Sequence, residues 1–152
     1  LVVRAGAPGH ELAIRRILVP VDGSPASWKV VSPTAALARI FGASVVVAHV
    51  EDSEPADQSL IASVLEAFRR EGVGGTALIR SGEPAQQILA LCESSGIDLV
   101  AMSTHGRSGF SRWVLGSVTE KVLRAAAVPL LVIQGAPVER RRSVAGKKEA
   151  RI

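Results

Sequence analysis

Between Met102 and Ser117 the chain reads Met-Ser-Thr-His-Gly-Arg-Ser-Gly-Phe-Ser-Arg-Trp-Val-Leu-Gly-Ser, with glycines at 106, 109 and 116. An apolar run, Leu99–Met102, leads into it, and a helix-like segment, Val118–Ala127, follows. A strand that opens through a glycine-punctuated loop into a helix start gathers unpaired backbone N–H groups at one place. That arrangement suits an anion, phosphate first, because the helix N-terminus adds partial positive charge. Ser117-Val118-Thr119-Glu120 has a second reading as a capping box, in which side chains satisfy the same N–H groups. The two readings coexist if phosphate replaces one cap interaction.

A second polar cluster, Asp22-Gly23-Ser24-Pro25, ends the apolar run Arg16–Val21. Asp22 either faces a ligand or closes an Asx-type turn. His49 and His105 lack a third ligand at metal spacing, so no metal site made by protein side chains alone is expected. Cys92, the single cysteine, rules out an intrachain disulfide and reads as a core residue; it fits a reducing, cytoplasmic compartment. Arg107 and Arg112 either reach a phosphate or face solvent, and Phe110 and Trp113 are expected to pack their loop against the core. No catalytic base stands beside the phosphate donors, so no catalytic residue is assigned. Gly-x4-Gly-Lys-Ser/Thr is missing, which excludes a P-loop, and no Gly-x-Gly-x-x-Gly follows the first strand, which disfavours a dinucleotide.

The elements that must hold these loops alternate. Arg16–Val21 is a strand. Ser24-Pro25 should open a helix, with Trp28, Val31, Ala35, Leu37, Ala38 and Phe41 at helical spacing up to Gly42. Pro33 would cost ~3 kcal/mol inside a regular helix, so a break is expected near Val30 or Ser32. Ala43–Val50 is apolar at nearly every position, as in a strand covered on both faces. An acidic loop, Glu51–Ala56, precedes an amphipathic helix carrying Leu60, Ile61, Val64, Leu65 and Phe68 and ending near Gly72. Thr76–Arg80 is the third strand, and Ser81–Pro84 turns into a helix with Ile88, Leu89, Leu91 and Cys92 inward, stopped by Gly96. Strand Ile97–Thr104, helix Val118–Ala127 and strand Val128–Ile133 complete the order.

Five strands alternating with four helices predict an α/β fold, a doubly wound, open parallel five-stranded sheet with helices on both faces. Ligands of such sheets bind beyond the carboxyl ends of the strands, where strand order reverses. In the order 3-2-1-4-5, strands one and four flank that point, and the two polar loops share one crevice.

At 152 residues the chain suits one domain burying roughly 68–70% of its unfolded surface. Its 47% hydrophobic and 3% aromatic content favours an aliphatic α/β core. The net charge of +4 belongs wholly to residues 134–152, where six cations meet two anions. A basic tail without interleaved aromatics reads as a solvated end, so nucleic acid and membrane are not expected partners. No apolar run approaches the ~18 residues of a membrane span. The expected organisation is an N-terminal extension at 1–14, one α/β domain at 15–133, which the resemblance described next makes a nucleotide-binding one, and a basic, disordered tail at 134–152.

Over about residues 15–133 the chain resembles the universal stress protein family. The resemblance rests on Ile17-Leu18-Val19-Pro20-Val21-Asp22-Gly23-Ser24, Ala48-His49-Val50, Met102-Ser103-Thr104-His105-Gly106, Gly116-Ser117-Val118-Thr119-Glu120 and Val128-Pro129-Leu130-Leu131-Val132. It implies the sheet order 3-2-1-4-5, dimerisation in many members, and an ATP-binding subgroup marked by Gly-x2-Gly-x9-Gly-Ser/Thr. On that motif Ser103 stands at the first glycine, Gly106 is the second, residues 107–115 keep the spacing, and Gly116-Ser117 closes it. A serine held at positive φ would cost ~1–2 kcal/mol, roughly tenfold in affinity.

By the same resemblance Pro20, Val21 and Asp22 border the nucleotide, with Asp22 near the ribose or a magnesium-bound phosphate. The Val50 backbone meets the adenine edge, and Met102 covers base or sugar. Ser103, His105, Gly106, Gly116 and Ser117 lie along the phosphates, joined by the Val118 and Thr119 N–H groups. The implied function is a stress-response regulatory protein whose bound ATP, with or without magnesium, switches its hold on a protein partner not named by the sequence. Hydrolysis would be slow at most. The apolar fifth strand, Val128–Ile133, lies at a sheet edge and predicts a homodimer through it. The alternative is a nucleotide-free dimeric scaffold of the same fold, favoured by Ser103. An adenylyl-handling enzyme is disfavoured because Asp22-Gly23-Ser24-Pro25 lacks a Ser-Gly-Gly pattern.

Overall fold

The computed structural model describes residues 13–25, 27–51, 58–104 and 116–134. Among these residues there are five strands: β1 (Arg16–Pro20), β2 (Ser44–Glu51), β3 (Gly75–Ser81), β4 (Leu99–Thr104) and β5 (Leu130–Gln134). Four helices connect them: α1 (Val31–Phe41), α2 (Gln58–Arg70), α3 (Pro84–Ser94) and α4 (Ser117–Ala125), with a single 3-10 turn at Ser27–Val30. All strand pairings are parallel, in the order β3-β2-β1-β4-β5. The parallel pairing is the one expected from the alternating elements, and the order is the one the family resemblance implied.

The unbroken apolar runs are explained by burial on both sides. Successive strand residues point to opposite faces, so β2 sends Val45 and Val47 into one core and Val46 and Ala48 into the other. The first core gathers Ile17, Val19, Val45 and Val47 beneath α1 and α2, which contribute Val31, Ala35, Ile61, Val64 and Phe68. The second gathers Leu18, Val46, Val100 and Met102 beneath α3 and α4, through Ala85, Ile88, Leu91 and Val122. Cys92 packs against this second core. Burial, then the charge of Glu93, pushes its thiol up to about 11, so it behaves as a core residue rather than a reactive one.

The first helix differs from expectation. The segment after Ser24 makes a 3-10 turn in place of an α-helix opened at Pro25, with the Ser27 N–H donating to the Ser24 carbonyl at 3.0 Å. The α-helix proper begins at Val31, which puts Pro33 in its first turn, where backbone N–H groups have no intrahelical acceptor to lose. Its buried stripe is Val31, Thr34, Ala35 and Ala38. Trp28, on the tighter 3-10 turn, falls off that stripe and is 39% exposed, and Phe41, the last residue of α1, is 41% exposed.

Two close fits set the strand ends. Gly75 opens β3 so near β2 that a Cβ there would lie 2.5 Å from both Val45 O and Val45 Cγ2. At the amino end of β1, Asp98 Oδ2 accepts from the Arg15 and Arg16 N–H groups at 2.8 and 2.9 Å. β5 begins two residues later than expected because Pro129 has no N–H to give the ladder; its carbonyl accepts from Val100 at 3.0 Å. β3 and β5 are the sheet edges. Among the described residues no helix is long and apolar enough to cross a membrane. Most of the N-terminal extension, part of the acidic loop, His105 to Leu115 with Arg107, Phe110, Arg112 and Trp113, and the basic tail after Gln134 lie outside the described residues.

Candidate functional site

A cavity of about 240 Å³ opens at the carboxyl ends of β1, β2 and β4. The described parts of the two loops are brought to it as the sheet order requires. β1 and the turn after it contribute Pro20, Val21 and Asp22; β2 contributes Val50; β4 contributes Met102 and Ser103; the start of α4 contributes Gly116, Ser117, Val118 and Thr119. These ten of the twelve residues expected to surround a nucleotide line one space, while His105 and Gly106 lie outside the described residues.

Four lining residues were not anticipated: Ser27, Ala48, Pro84 and Ile88. A signal for the last two existed in the topology. α3 leaves the edge strand β3 and must cross β2 and β1 to reach β4, so its first turns overlie the crevice. The cavity wall is therefore apolar on the α3 side, with Pro84, Ile88 and Met102, and polar on the α4 side.

The polar side is built from backbone. The N-cap of α4 is Gly116, at φ −62° and ψ 153°, and among the described residues no side chain caps the helix. The expected capping box is absent because Ser117 is already the first helical residue, one position too late to cap. Glu120 turns instead to Arg124, at 2.7 Å, one helical turn on. The N–H groups of Ser117, Val118 and Thr119 belong to the first turn, which has no intrahelical acceptors. They and the helix dipole favour an anion at this end of the cavity.

Nothing among the described residues requires a glycine at 116: its φ is one that any residue adopts, and a Cβ there would meet none of them within 4 Å. Ser103 also departs from expectation. It belongs to β4, paired with Ile133, in extended backbone that a serine adopts without strain, so the penalty for positive φ does not arise. The strain argument against a nucleotide is thereby removed, while Ser103 still stands where the ATP-binding motif has its first glycine.

Asp22 does close an Asx-type turn: Oδ1 accepts from the Ser24 N–H at 3.0 Å and from Ser24 Oγ at 2.7 Å. The carboxylate both shapes the turn and borders the cavity. Gly23 follows at φ 79°, which lets the chain leave the sheet there. His49 Nδ1 donates to the Val21 carbonyl at 2.8 Å, a contact the sequence did not suggest. Among the described residues no group of three or more His, Cys, Asp or Glu side chains could hold a metal ion.

Beside α4, the N-terminus of α3 is capped by its own Glu83, whose Oε2 accepts from the Gln86 N–H at 2.7 Å. Its Oε1 accepts from Lys121 Nζ of α4 at 2.8 Å. The Lys121 hydrogen bond, then the Gln86 N–H, lowers the Glu83 pKa from its ordinary 4.5.

The model of the Universal stress protein family matches residues 13–67 and 58–134. A universal stress protein of Methanocaldococcus jannaschii is 30% identical over 139 residues, covering 79% of this chain and 82% of that protein. The universal stress protein YxiE of Bacillus subtilis is 24% identical over 145 residues, covering 78% of this chain and 98% of its own length. Among solved structures, a universal stress protein in complex with cAMP aligns with a TM-score of 0.69 at 18% identity, over 82% of this chain and 99% of that one. One from Archaeoglobus fulgidus in complex with dAMP aligns at 0.66 and 21% identity, over 80% and 98%. The chain belongs to the universal stress protein family.

Proposed function

We propose that this protein binds an adenine nucleotide, ATP in the first instance, in the cavity at the carboxyl ends of β1 and β4, and that occupancy switches its hold on a protein partner. The observation that carries the reading is the N-terminus of α4, which no described side chain caps, opening into the cavity through a glycine that neither its φ nor any described neighbour requires. Phosphate fits there, where several charge-assisted hydrogen bonds of ~1.5–3 kcal/mol each are on offer. The apolar wall of Val21, Val50, Ile88 and Met102 suits a base and sugar. Fold neighbours holding cAMP and dAMP support an adenine ligand.

Asp22 borders this space and is the residue we assign to the ribose or to magnesium carried in with the phosphates. Bound ATP would supply the triphosphate anion, and the chain's own part is to donate N–H groups to it. The reading also includes a domain spanning 15–133, a cytoplasmic location in keeping with the single cysteine, and a homodimer paired through Val128–Ile133 on the β5 edge.

The test is to isolate the protein without added ligand, denature it, and identify any released nucleotide, then repeat with Gly116→Val. Valine is compatible with the backbone there, so the variant is expected to fold and to lose the nucleotide. Full retention of ATP by Gly116→Val would contradict the phosphate assignment. Absence of binding by the wild type even at millimolar ATP would favour a scaffold, and steady accumulation of ADP an enzyme.

A further inference from the structure

Val21 is the first residue past β1, and β2 holds both of its backbone polar groups. Its N–H donates to the Ala48 carbonyl at 2.8 Å, and its carbonyl accepts from His49 Nδ1 at 2.8 Å. A carbonyl has no proton to give, so Nδ1 carries the hydrogen, as it does in one neutral tautomer and in the imidazolium. Past Val21 the chain leaves the sheet at once, through Gly23 at φ 79° and the Asp22–Ser24 turn. The Val21 pair therefore ties the start of this loop to the sheet.

Strand alternation separates His49 from the cavity. Ala48 and Val50 both line it, so His49, between them in β2, projects from the opposite face of the sheet. Its imidazole does not border the ligand space. It reaches round to the peptide joining Val21 to Asp22, two residues that do border that space.

We infer that His49 is a positioning residue for the nucleoside side of this site, holding the Val21–Asp22 peptide in its binding geometry before any ligand arrives. The inference rests on the nucleotide reading above. A wall fixed in advance spares the ligand the cost of ordering it. With Asp22 on the ribose and the N–H groups of α4 on the phosphates, His49 contributes equally, in the absence of magnesium, to ligands with and without a phosphate chain.

The test compares wild type, His49→Ala and His49→Asn. The Asn side-chain nitrogen hangs from Cγ as Nδ1 does and donates a proton from the same place, so this variant should restore the tie. In the ligand-free protein, amide exchange at Val21 and Ser24 should speed up in His49→Ala and return toward wild type in His49→Asn. Titration with adenosine, AMP and ATP in the absence of magnesium should show about a tenfold weakening in His49→Ala, by the same factor for all three, the scale of one lost hydrogen bond. Unchanged exchange and affinity in His49→Ala would overturn the inference, as would a loss that grows with phosphate number or a failure of His49→Asn to restore binding. If wild type binds none of the three, the nucleotide reading itself fails, while faster exchange in His49→Ala would still support the tie from His49 to the loop.

Discussion

The N-termini of α3 and α4 lie against the same cavity and are finished in opposite ways. α3 carries its own anion: Glu83 caps the Gln86 N–H at 2.7 Å, and Pro84 at the first turn removes a donor altogether. α4 starts on Gly116 with no cap from a described side chain, and its serine stands one residue too late to supply one. Both helices carry the same partial positive charge at this end, so the difference lies in where the compensating negative charge comes from. On the proposed reading, α3 is complete without a ligand and α4 is completed by one. A glycine explained neither by its φ nor by any described neighbour is the residue that marks the second kind of helix start.

The comparison breaks most decisively if α4 is given the anion that α3 already has. Gly116→Asp places a carboxylate at the N-cap, in backbone that aspartate adopts readily. It should stabilise the ligand-free protein by about 0.5–1 kcal/mol, through the cap and the dipole, read in a denaturant titration. ATP affinity should fall by about a hundredfold or more in calorimetry, because the carboxylate occupies N–H groups assigned to phosphate and repels it. Stability and affinity move in opposite directions. A variant that binds ATP as well as wild type would mean that the start of α4 does not hold the phosphates.

A smaller effect is expected from removing the anion of α3. Glu83→Gln keeps the shape and an acceptor but loses the charge that caps Gln86 and holds Lys121. Because the folded pKa of Glu83 is lowered from 4.5, its carboxylate stabilises the protein fully above that value. The contribution is lost as pH falls through the lowered pKa. Wild type should therefore lose stability relative to Glu83→Gln below about pH 4.5, seen as converging Tm values across an acid series. ATP affinity should not fall, since this carboxylate is no ligand group. A marked loss would show that the two helix starts act as one site.

The fold was legible because burial on both faces writes itself as unbroken apolar runs: Val45 to Ala48 could be read as a central parallel strand before anything was known of its neighbours. Positions within helices were less legible where caps decide them. Ser117 followed by Glu120 spells a capping box, and only the backbone, which begins the helix one residue early, cancels it. Pro33 signalled an irregularity near Val30, but whether it would be a kink or a 3-10 turn depends on hydrogen bonds around Ser24 and Ser27 that spacing does not encode. Ser103 was read as strained because a glycine motif was assumed to mean positive φ, whereas at this position β4 simply continues to Thr104. His49 and Pro84 were missed for another reason. Their contributions arise from elements crossing in space, which a pass along the chain meets as separate, unremarkable residues.

The smallest expected effect concerns the ion pair that joins the two helices. Lys121 Nζ lies 2.8 Å from Glu83 Oε1, and both side chains are exposed enough for solvent to screen them, at 61% and 35%. Such pairs contribute little to stability, so Lys121→Ala should leave Tm close to wild type while returning the Glu83 pKa toward 4.5. If Lys121 serves only to satisfy the cap of α3, ATP affinity should change by no more than about twofold, the scale of a screened surface charge. A loss of tenfold or more would mean that the cation leaves Glu83 for the phosphates when ligand arrives. The comparison would then be redrawn, with α4 bringing a side-chain charge as well as its backbone to the ligand, and α3 serving to hold that charge in reserve.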